Sequence, residues 1–418
     1  MSIVVVAKGE NTIDATKKAM ELLGGMQKFV REGQIVFIKP DLSTPIGVPA
    51  STDPLVIGKI AKMCFAAGAK KIIVGDNPFG GISSKNLFKF TGLDEYLRSI
   101  GVTLINLEKE HFETIKLSQS KVFKEIQLPK CVLNSDIFIS IPTMRTDILS
   151  DVALSIKNLH GLLPDEQYIS LYKENLHEGL TDLLKAIKPD LTIMDSFIGG
   201  EDQGPFNLSG IETKFNLAST DPIAIDSIAA SIMGFDPVQI KHIKLAQDLN
   251  LGIGDLKRIS IVGDEPNYFN FKKAQLLPNE NELLGLCQGT CCPGCLASFR
   301  IFSDLMDMFL GKELKRYGGF SCLLGENPEV SSYKRGIIIF GDCAIFSTKD
   351  YAFNTKRIRR AYRIQEIPGC PPINLNIFEK IAINFKDKIP AFEFINEIIK
   401  RWTKGRKLIV PRHPQIGA

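Results

Sequence analysis

"IVFIKPDLSTPIGVPASTDPLVIGKIAKMCFAAGAKKIIVG" (residues 35–75) decides the fold. It opens on an apolar, β-branched run at 35–39, short enough for a strand and apolar enough to be buried on both faces. A second such run, at 71–75, closes it. Between them, Thr52-Asp53-Pro54 sets a capping side chain before a proline in a first helical turn, and the spacing predicts a helix over 53–67. Strand, helix, strand is the order of a largely parallel sheet covered on both faces.

The alternation extends outward to about residue 275. "IVVVA" (3–7), "VTLIN" (102–106), "IFISI" (137–141), "LTIMD" (191–195) and "RISIVG" (258–263) read as buried strands. Helical periodicity fits 12–29, 151–159, 174–187, 222–233 and 237–249, and Thr220-Asp221-Pro222 repeats the cap pattern. A polar stretch, 264–282, contains the expected linker. The chain therefore divides into an α/β substrate-binding domain, 1–275, and a smaller α/β domain, 283–418. In the latter, "LLGL" leads into a cysteine-rich turn and a helix with Ile301, Leu305, Met308 and Phe309 on one face. "GIIIF" (336–340) and "RIQEI" (363–367) read as strands, and helices near 374–384 and 391–403 are expected to close the unit.

Hydrophobic content of 44% and charged content of 23% are those of a globular chain. A net charge of +4 with no concentrated basic face argues against a nucleic-acid partner; the basic groups within 356–363 and 400–407 read as solvated. The apolar runs fall short of a membrane span, and the chain enters a strand at once, so the expectation is a cytoplasmic protein without a membrane partner. Disulfides are unexpected in that compartment, which makes nine cysteines informative. Cys64 and Cys131 lie in apolar surroundings and read as core; the other seven follow residue 286.

"CQGTCCPGCLASF" (287–299) follows one strand, Cys343 follows "GIIIF" by three residues, and Cys370 follows "RIQEI" by three. All three groups thus fall beyond the carboxyl ends of strands, where open parallel sheets bind ligands. Cys292, Cys295, Cys343 and Cys370 would satisfy a 4Fe–4S cluster. Zinc, which also takes four thiolates, is the runner-up; its structural sites usually pair two short knuckles, and only one is present here.

"CCPGCLAS", "FGDCAIF" and "IPGCPPI" resemble the three ligand segments of the proximal cluster in the small subunit of nickel–iron hydrogenases. Over roughly 283–390 the resemblance implies a flavodoxin-like fold, with the same four cysteines as ligands. The chain departs from that pattern at Ala297-Ser298, where an acidic residue is usual. Cys287, Cys291 and Cys322 have no counterpart and stand as candidates for an additional metal. In that family the cluster faces a partner subunit, which implies a redox partner protein.

Residues 1–275 resemble domain of unknown function family 362. The resemblance is carried by "VFIKPDL", "KKIIVGDNP", "SDIFISIPTMRTD", "ALSIKNLHGLLP" and "LASTDPIAIDSIAASIMGFDP". It implies an architecture, often an iron–sulfur module, and a distant similarity to the nickel-pincer lactate racemase family. Where the family usually shows a lysine and a histidine, this chain has Arg145 and Asp147.

The residues themselves nominate a site. Lys157 and His160 stand three apart near a helix end at Gly161, either as a cation and a proton carrier for an anionic substrate or as partners of the helix dipole. Asp226 lies in a segment apolar nearly all round, so it is expected to be buried, with a structural hydrogen bond or a raised pKa and a catalytic role. Lys39, Asp76, Asn77 and Asp195 follow strand ends, and Arg145 can grip a carboxylate through two hydrogen bonds; these are the substrate-binding candidates. The pair Gly80-Gly81 reads as a weak anion-holding turn. The function expected is an iron–sulfur oxidoreductase whose C-terminal cluster passes electrons to a small anionic molecule in the first domain. A non-redox iron–sulfur lyase or isomerase and a non-enzymatic electron-transfer subunit are the alternatives.

Overall fold

The computed structural model describes residues 1–372 other than 43, 45, 46, 79–83, 174, 277–283, 331–333 and 352–362. It divides into two compact units at Ala274/Gln275, within the polar stretch read as the linker. The first unit begins β1 (Ser2–Lys8), α1 (Thr12–Leu22), β2 (Ile35–Pro40), α2 (Pro54–Ala66), β3 (Lys71–Asp76) and α3 (Ser84–Phe90). It continues α4 (Leu93–Ser99), β4 (Thr103–Asn106), β5 (Phe112–Lys116), β6 (Glu125–Pro129), α5 (Lys130–Leu133) and β7 (Ile137–Ile141). Next come β8 (Thr143–Asp147), β9 (Asp151–Ala153), α6 (Ser155–Asn158), α7 (Asp165–Lys173) and α8 (Leu176–Ala186). It ends β10 (Leu191–Gln203), β11 (Asn207–Glu212), β12 (Phe215–Ser219), α9 (Pro222–Ile232), α10 (Lys241–Asp248) and β13 (Ile259–Gly263).

The main sheet runs β13-β1-β12-β10-β7-β2-β3-β4. It is parallel except at β12, which pairs antiparallel with β1 and β10. Phe37, Ile38, Val74, Ile139, Ile193 and Leu217 are fully buried along its centre, as runs covered on both faces require. The two Asp-Pro starts form as the sequence predicts. Asp53 accepts from Leu55 N at 2.8 Å, and Asp221 accepts from Ile223 N and Ala224 N.

Two helix expectations are corrected. The helix read over 12–29 stops at Leu22, because Gly24 and Gly25 take positive φ of 100° and 86°; a 3₁₀ turn follows at Met26–Lys28. The segment 151–159 is not one helix. Asp151 takes φ 63°, β9 pairs back on β8, and the four-residue α6 passes into a 3₁₀ turn at Leu159–Leu162.

The second unit, from Gln275 on and joined by Tyr172 and Lys173 at the end of α7, holds β14 (Leu284–Gln288), α11 (Pro293–Tyr317), β15 (Phe320–Leu324), β16 (Gly336–Phe340), α12 (Asp342–Ser347) and β17 (Arg363–Ile367). Its four strands are parallel and lie in chain order. A flavodoxin-like sheet has a reversal of strand order, and among the described strands there is none. Phe299, Phe302 and Met306 of α11 are buried; Leu305, Met308 and Phe309 lie outside the described side chains, as do the expected helices beyond 372 and the Gly80-Gly81 turn outside the described residues.

Candidate functional site

In the first unit, strand ends deliver charged side chains to one buried network. Lys39, on β2, holds Nζ 2.7 Å from Asp76 Oδ1 at the end of β3 and donates to Asn158 Oδ1 at 2.9 Å. Asp76 Oδ2 accepts from Leu42 N at 2.7 Å. The two side chains are only 1% and 2% exposed, and burial pushes Asp76 up to about 6 against the pull of Lys39. A methyl group on Gly161 would collide with the Asp76 carboxylate and stand 2.9 Å from Lys39 Nζ, so that turn requires glycine.

A second pairing adjoins it in sequence. Arg145, on β8, donates Nη2 to Asp41 Oδ2 at 3.0 Å, and Thr143 Oγ1 donates to the same oxygen at 2.9 Å. Arg145 Nη1 lies 3.8 Å from Asp147 Oδ2, on which Lys157 Nζ also closes. Asp147 Oδ1 accepts from Leu149 N, Ser150 N and Ser150 Oγ. Burial raises Asp147, but Lys157 and Arg145 outweigh it and hold the carboxyl well below the usual range. Burial draws Lys157 down against the pull of Asp147. Lys39, Arg145 and Lys157 are thus matched by Asp41, Asp76 and Asp147, all of them buried.

The other candidates are placed as follows. His160 is buried, with its ring centroid 5.1 Å from that of Tyr168. Burial, then the charges of Lys157 and Lys39, hold it down to about 3, so the ring is neutral at ordinary pH and poorly matched to carrying protons there. Asn77 donates Nδ2 to the Leu163 carbonyl and to Asp165 Oδ1, both at 3.1 Å, and so ties the end of β3 to the start of α7. Asp226 is fully buried and accepts from Ser155 N at 2.7 Å and Ile156 N at 2.9 Å. It holds the start of α6, and hence Lys157, through the backbone. Burial pushes it up to about 8 against those two bonds. Asp195 is engaged elsewhere: it accepts from Asp53 N at 2.8 Å and Thr12 Oγ1 at 3.4 Å, and burial, then Asp53, raise it to about 7.

The sequence reading passed over Asn158 and Thr143, and took Gly161 only as a helix end. The run "IKNLHG" carries a signal for Asn158, since polar residues at consecutive positions of an otherwise apolar turn must be paired when buried. It also passed over a histidine pair. His177 of α8 and His242 of α10 hold ring centroids 5.6 Å apart with planes within 16°, and among the described residues His177 Nδ1 and both ring nitrogens of His242 have no hydrogen-bond partner. Burial holds the two down to about 4 and about 3.

In the second unit, Cys292 caps the N-terminus of α11 and Cys295 lies one turn in. The Cys292 sulfur is held down to about 6 by the Cys295 thiol and by the amides of the turn, against burial. The Cys295 thiol is pushed up by that same contact, by burial, and by Cys292, Cys370 and Cys343 around it. A methyl group on Gly341 would lie 3.6 Å from Cys295 Sγ, 3.6 Å from the Gly369 carbonyl oxygen and 3.7 Å from Pro372 Cγ, so the ends of β16 and β17 close on the cysteine turn. Cys343 and Cys370 follow the strand ends that close on this turn, beside Gly341 and Gly369. That donor set suits an iron–sulfur cluster. Among the described residues no three His, Cys, Asp or Glu side chains stand at the spacing of one ion.

The surplus cysteines do not form a second set. Leu286 pairs with Cys322 and Cys287 with Leu323, so Cys287 and Cys322 point to opposite faces of the sheet. Cys287 packs on Leu323, Ile337 and Ile339, and Cys322 is fully buried, with its thiol pushed well up. Cys291 instead lies within influence of Cys292 and Cys343.

Comparison with known proteins bears on the first unit. Residues 36–231 match the family model described as Domain of unknown function (DUF362). Over 240 residues, 56% of this chain and 73% of the relative, the chain is 28% identical to a thylakoid-associated protein of Synechocystis. Among solved structures it is similar to the lactate racemase apoprotein of Thermoanaerobacterium thermosaccharolyticum, at TM-score 0.38 and 11% identity, over 89% of this chain and 84% of the other. It is also similar to a protein of Thermotoga maritima, at TM-score 0.33 and 10% identity, over 49% of this chain and 54% of that one. Among the described residues no helix is long and apolar enough to cross a membrane.

Proposed function

We propose that the chain is an iron–sulfur oxidoreductase. Cys292, Cys295, Cys343 and Cys370 would hold a 4Fe–4S cluster, with zinc as the runner-up, and the Lys39–Asp76 and Arg145–Asp41–Asp147–Lys157 network would receive a small anionic molecule. The observation that supports the reading is the approach of Gly341 and Gly369, next to Cys343 and Cys370 in sequence, to the turn that carries Cys295. A bound cluster supplies single electrons. The chain's own part is to position and to desolvate. Asp226 fixes Lys157 through the α6 amides, and Asp147 pairs with its ammonium and opposes the pull of burial on it. An entering carboxylate would displace Asp41 or Asp147 from Arg145 or Lys157.

A second reading, an electron-carrying protein whose partner performs the chemistry, is favoured by the internal neutrality of that network. The two divide on one experiment. Serine variants of the four cysteines, with Cys131→Ser as control, are purified without oxygen and assayed for iron and sulfide, and small carboxylates are tested for binding to the wild type. The oxidoreductase reading expects loss of iron in the four but not the control, together with carboxylate binding that Arg145→Gln abolishes. Iron loss without any such binding leaves the electron carrier.

A further inference from the structure

The buried network of the first unit is closed in charge. Among the described residues Lys39, Arg145 and Lys157 face Asp41, Asp76 and Asp147, and His160 beside them is neutral. An anion that enters adds a charge with no cation left over, and an unmatched buried charge is far costlier than a protonated carboxyl. One carboxyl must then take a proton, and the contacts say which. Asp147 is held by two cations and three neutral donors. Asp41 accepts from Thr143 Oγ1 and from two N–H groups of Arg145, Nε at 3.3 Å and Nη2 at 3.0 Å. Asp76 has a single ammonium, and Lys39 Nζ divides itself among Asp76, Asn158 Oδ1 and the Pro40 carbonyl oxygen. The other donors to the Asp76 carboxylate are the amides of Leu42 and Asn77, at 2.7 and 2.9 Å.

The remaining ionisable groups around Asp76 are acidic or held at a remove. Asp41 repels it. Glu108, after β4, meets it through Ser84, whose Oγ donates to the Asp76 carbonyl oxygen and to the Glu108 carboxylate. Asp165, at the start of α7, meets it through the Asn77 side chain. α6 presents the uncharged Asn158, and the turn after it presents Gly161. Lys39 is thus the attraction that keeps Asp76 ionised against burial, which already lifts it to about 6. A ligand that draws Lys39 away leaves burial unopposed. We propose that a small monocarboxylate enters this network together with one proton, which Asp76 takes up as Lys39 passes to the incoming charge. This rests on the anion-binding reading above. The proton comes from solvent, and the network stays neutral before and after.

The test is titration calorimetry of the full chain, purified without oxygen, with acetate, glycolate and pyruvate. Each titration is repeated in buffers of different ionisation enthalpy, and the slope of the heat against that enthalpy counts the protons taken up. At about pH 7.5 the expected count is about one proton per carboxylate bound, with affinity falling roughly tenfold per pH unit above about 7. In Asp76→Asn the count should drop to about zero, with binding kept and independent of pH. A merely structural Asp76 would leave the count unmoved, and the wild-type slope stands whether or not D76N folds. Binding to wild type without proton uptake overturns the inference while the anion reading stands. Uptake that persists in D76N overturns the assignment to Asp76. Failure of all three carboxylates to bind at any pH between about 5 and 8 overturns the anion reading with it.

Discussion

Asp147 is the pivot of the buried network, and removing its charge gives the sharpest perturbation. In Asp147→Asn the amide oxygen can still accept from Leu149 N, Ser150 N and Ser150 Oγ, so the turn after β8 is kept. The amide nitrogen then faces the Lys157 ammonium and the Arg145 guanidinium, donor against donor. At 3.8 Å and an effective dielectric of about 20, the attraction between Arg145 and Asp147 alone is on the order of 4 kcal/mol before desolvation. Breaking a buried pair from one side costs about 3–5 kcal/mol, and D147N is expected in that range. Lys157→Met should cost less, about 1–3 kcal/mol, because Asp147 keeps Arg145 and its three neutral donors. The double variant should fall short of the sum of the single costs by roughly 1–3 kcal/mol. Hydrogen exchange of the β7 and β10 amides reads the stability of this unit without assuming that both units unfold together. Additivity of the two costs within about 0.5 kcal/mol would refute the coupling.

Three further outcomes are expected. Asp226→Ala leaves the Ser155 and Ile156 amides buried without an acceptor, for a loss of about 2–4 kcal/mol by the same exchange measurement; a loss below about 1 kcal/mol would mean that α6 does not depend on it. His242→Leu removes a ring whose two nitrogens have no partner among the described residues, so it should be neutral or stabilising at pH 7; a cost above about 2 kcal/mol would reveal a partner for the ring. The pH dependence follows from the sign of the shift. His242 lies at about 3 in the folded chain against 6.5 for the free side chain, so below 6.5 the unfolded chain binds the extra proton. Wild type should therefore lose stability relative to H242L as pH falls from about 6.5 toward 4, and a pH-independent difference would contradict the burial argument.

The crossover 35–75 was legible because its signals are local: two apolar β-branched runs and a capping aspartate before a proline. β8 was not, since "TMRTD" has no apolar run to mark a strand, and its five residues are buried with Arg145 and Asp147 paired there. The helix read over 151–159 failed for a related reason. Its apolar spacing fits a helix, but the left-handed Asp151 turns the chain back on β8 first. Candidate residues were legible by type and by their place after strands. Their partners were not: Arg145 meets Asp41 across 104 positions of sequence, and no short-range pattern encodes that contact. That the cysteine groups follow strand ends was legible, because the strands before them are local apolar runs.

The most direct test of the central claim is made on the wild-type chain purified without oxygen: iron, sulfide and zinc content, with EPR before and after dithionite. About four irons and four sulfides per chain, with a signal that appears or vanishes on reduction, are expected. One zinc with no sulfide would contradict it, and would leave the four cysteines as a structural fastener.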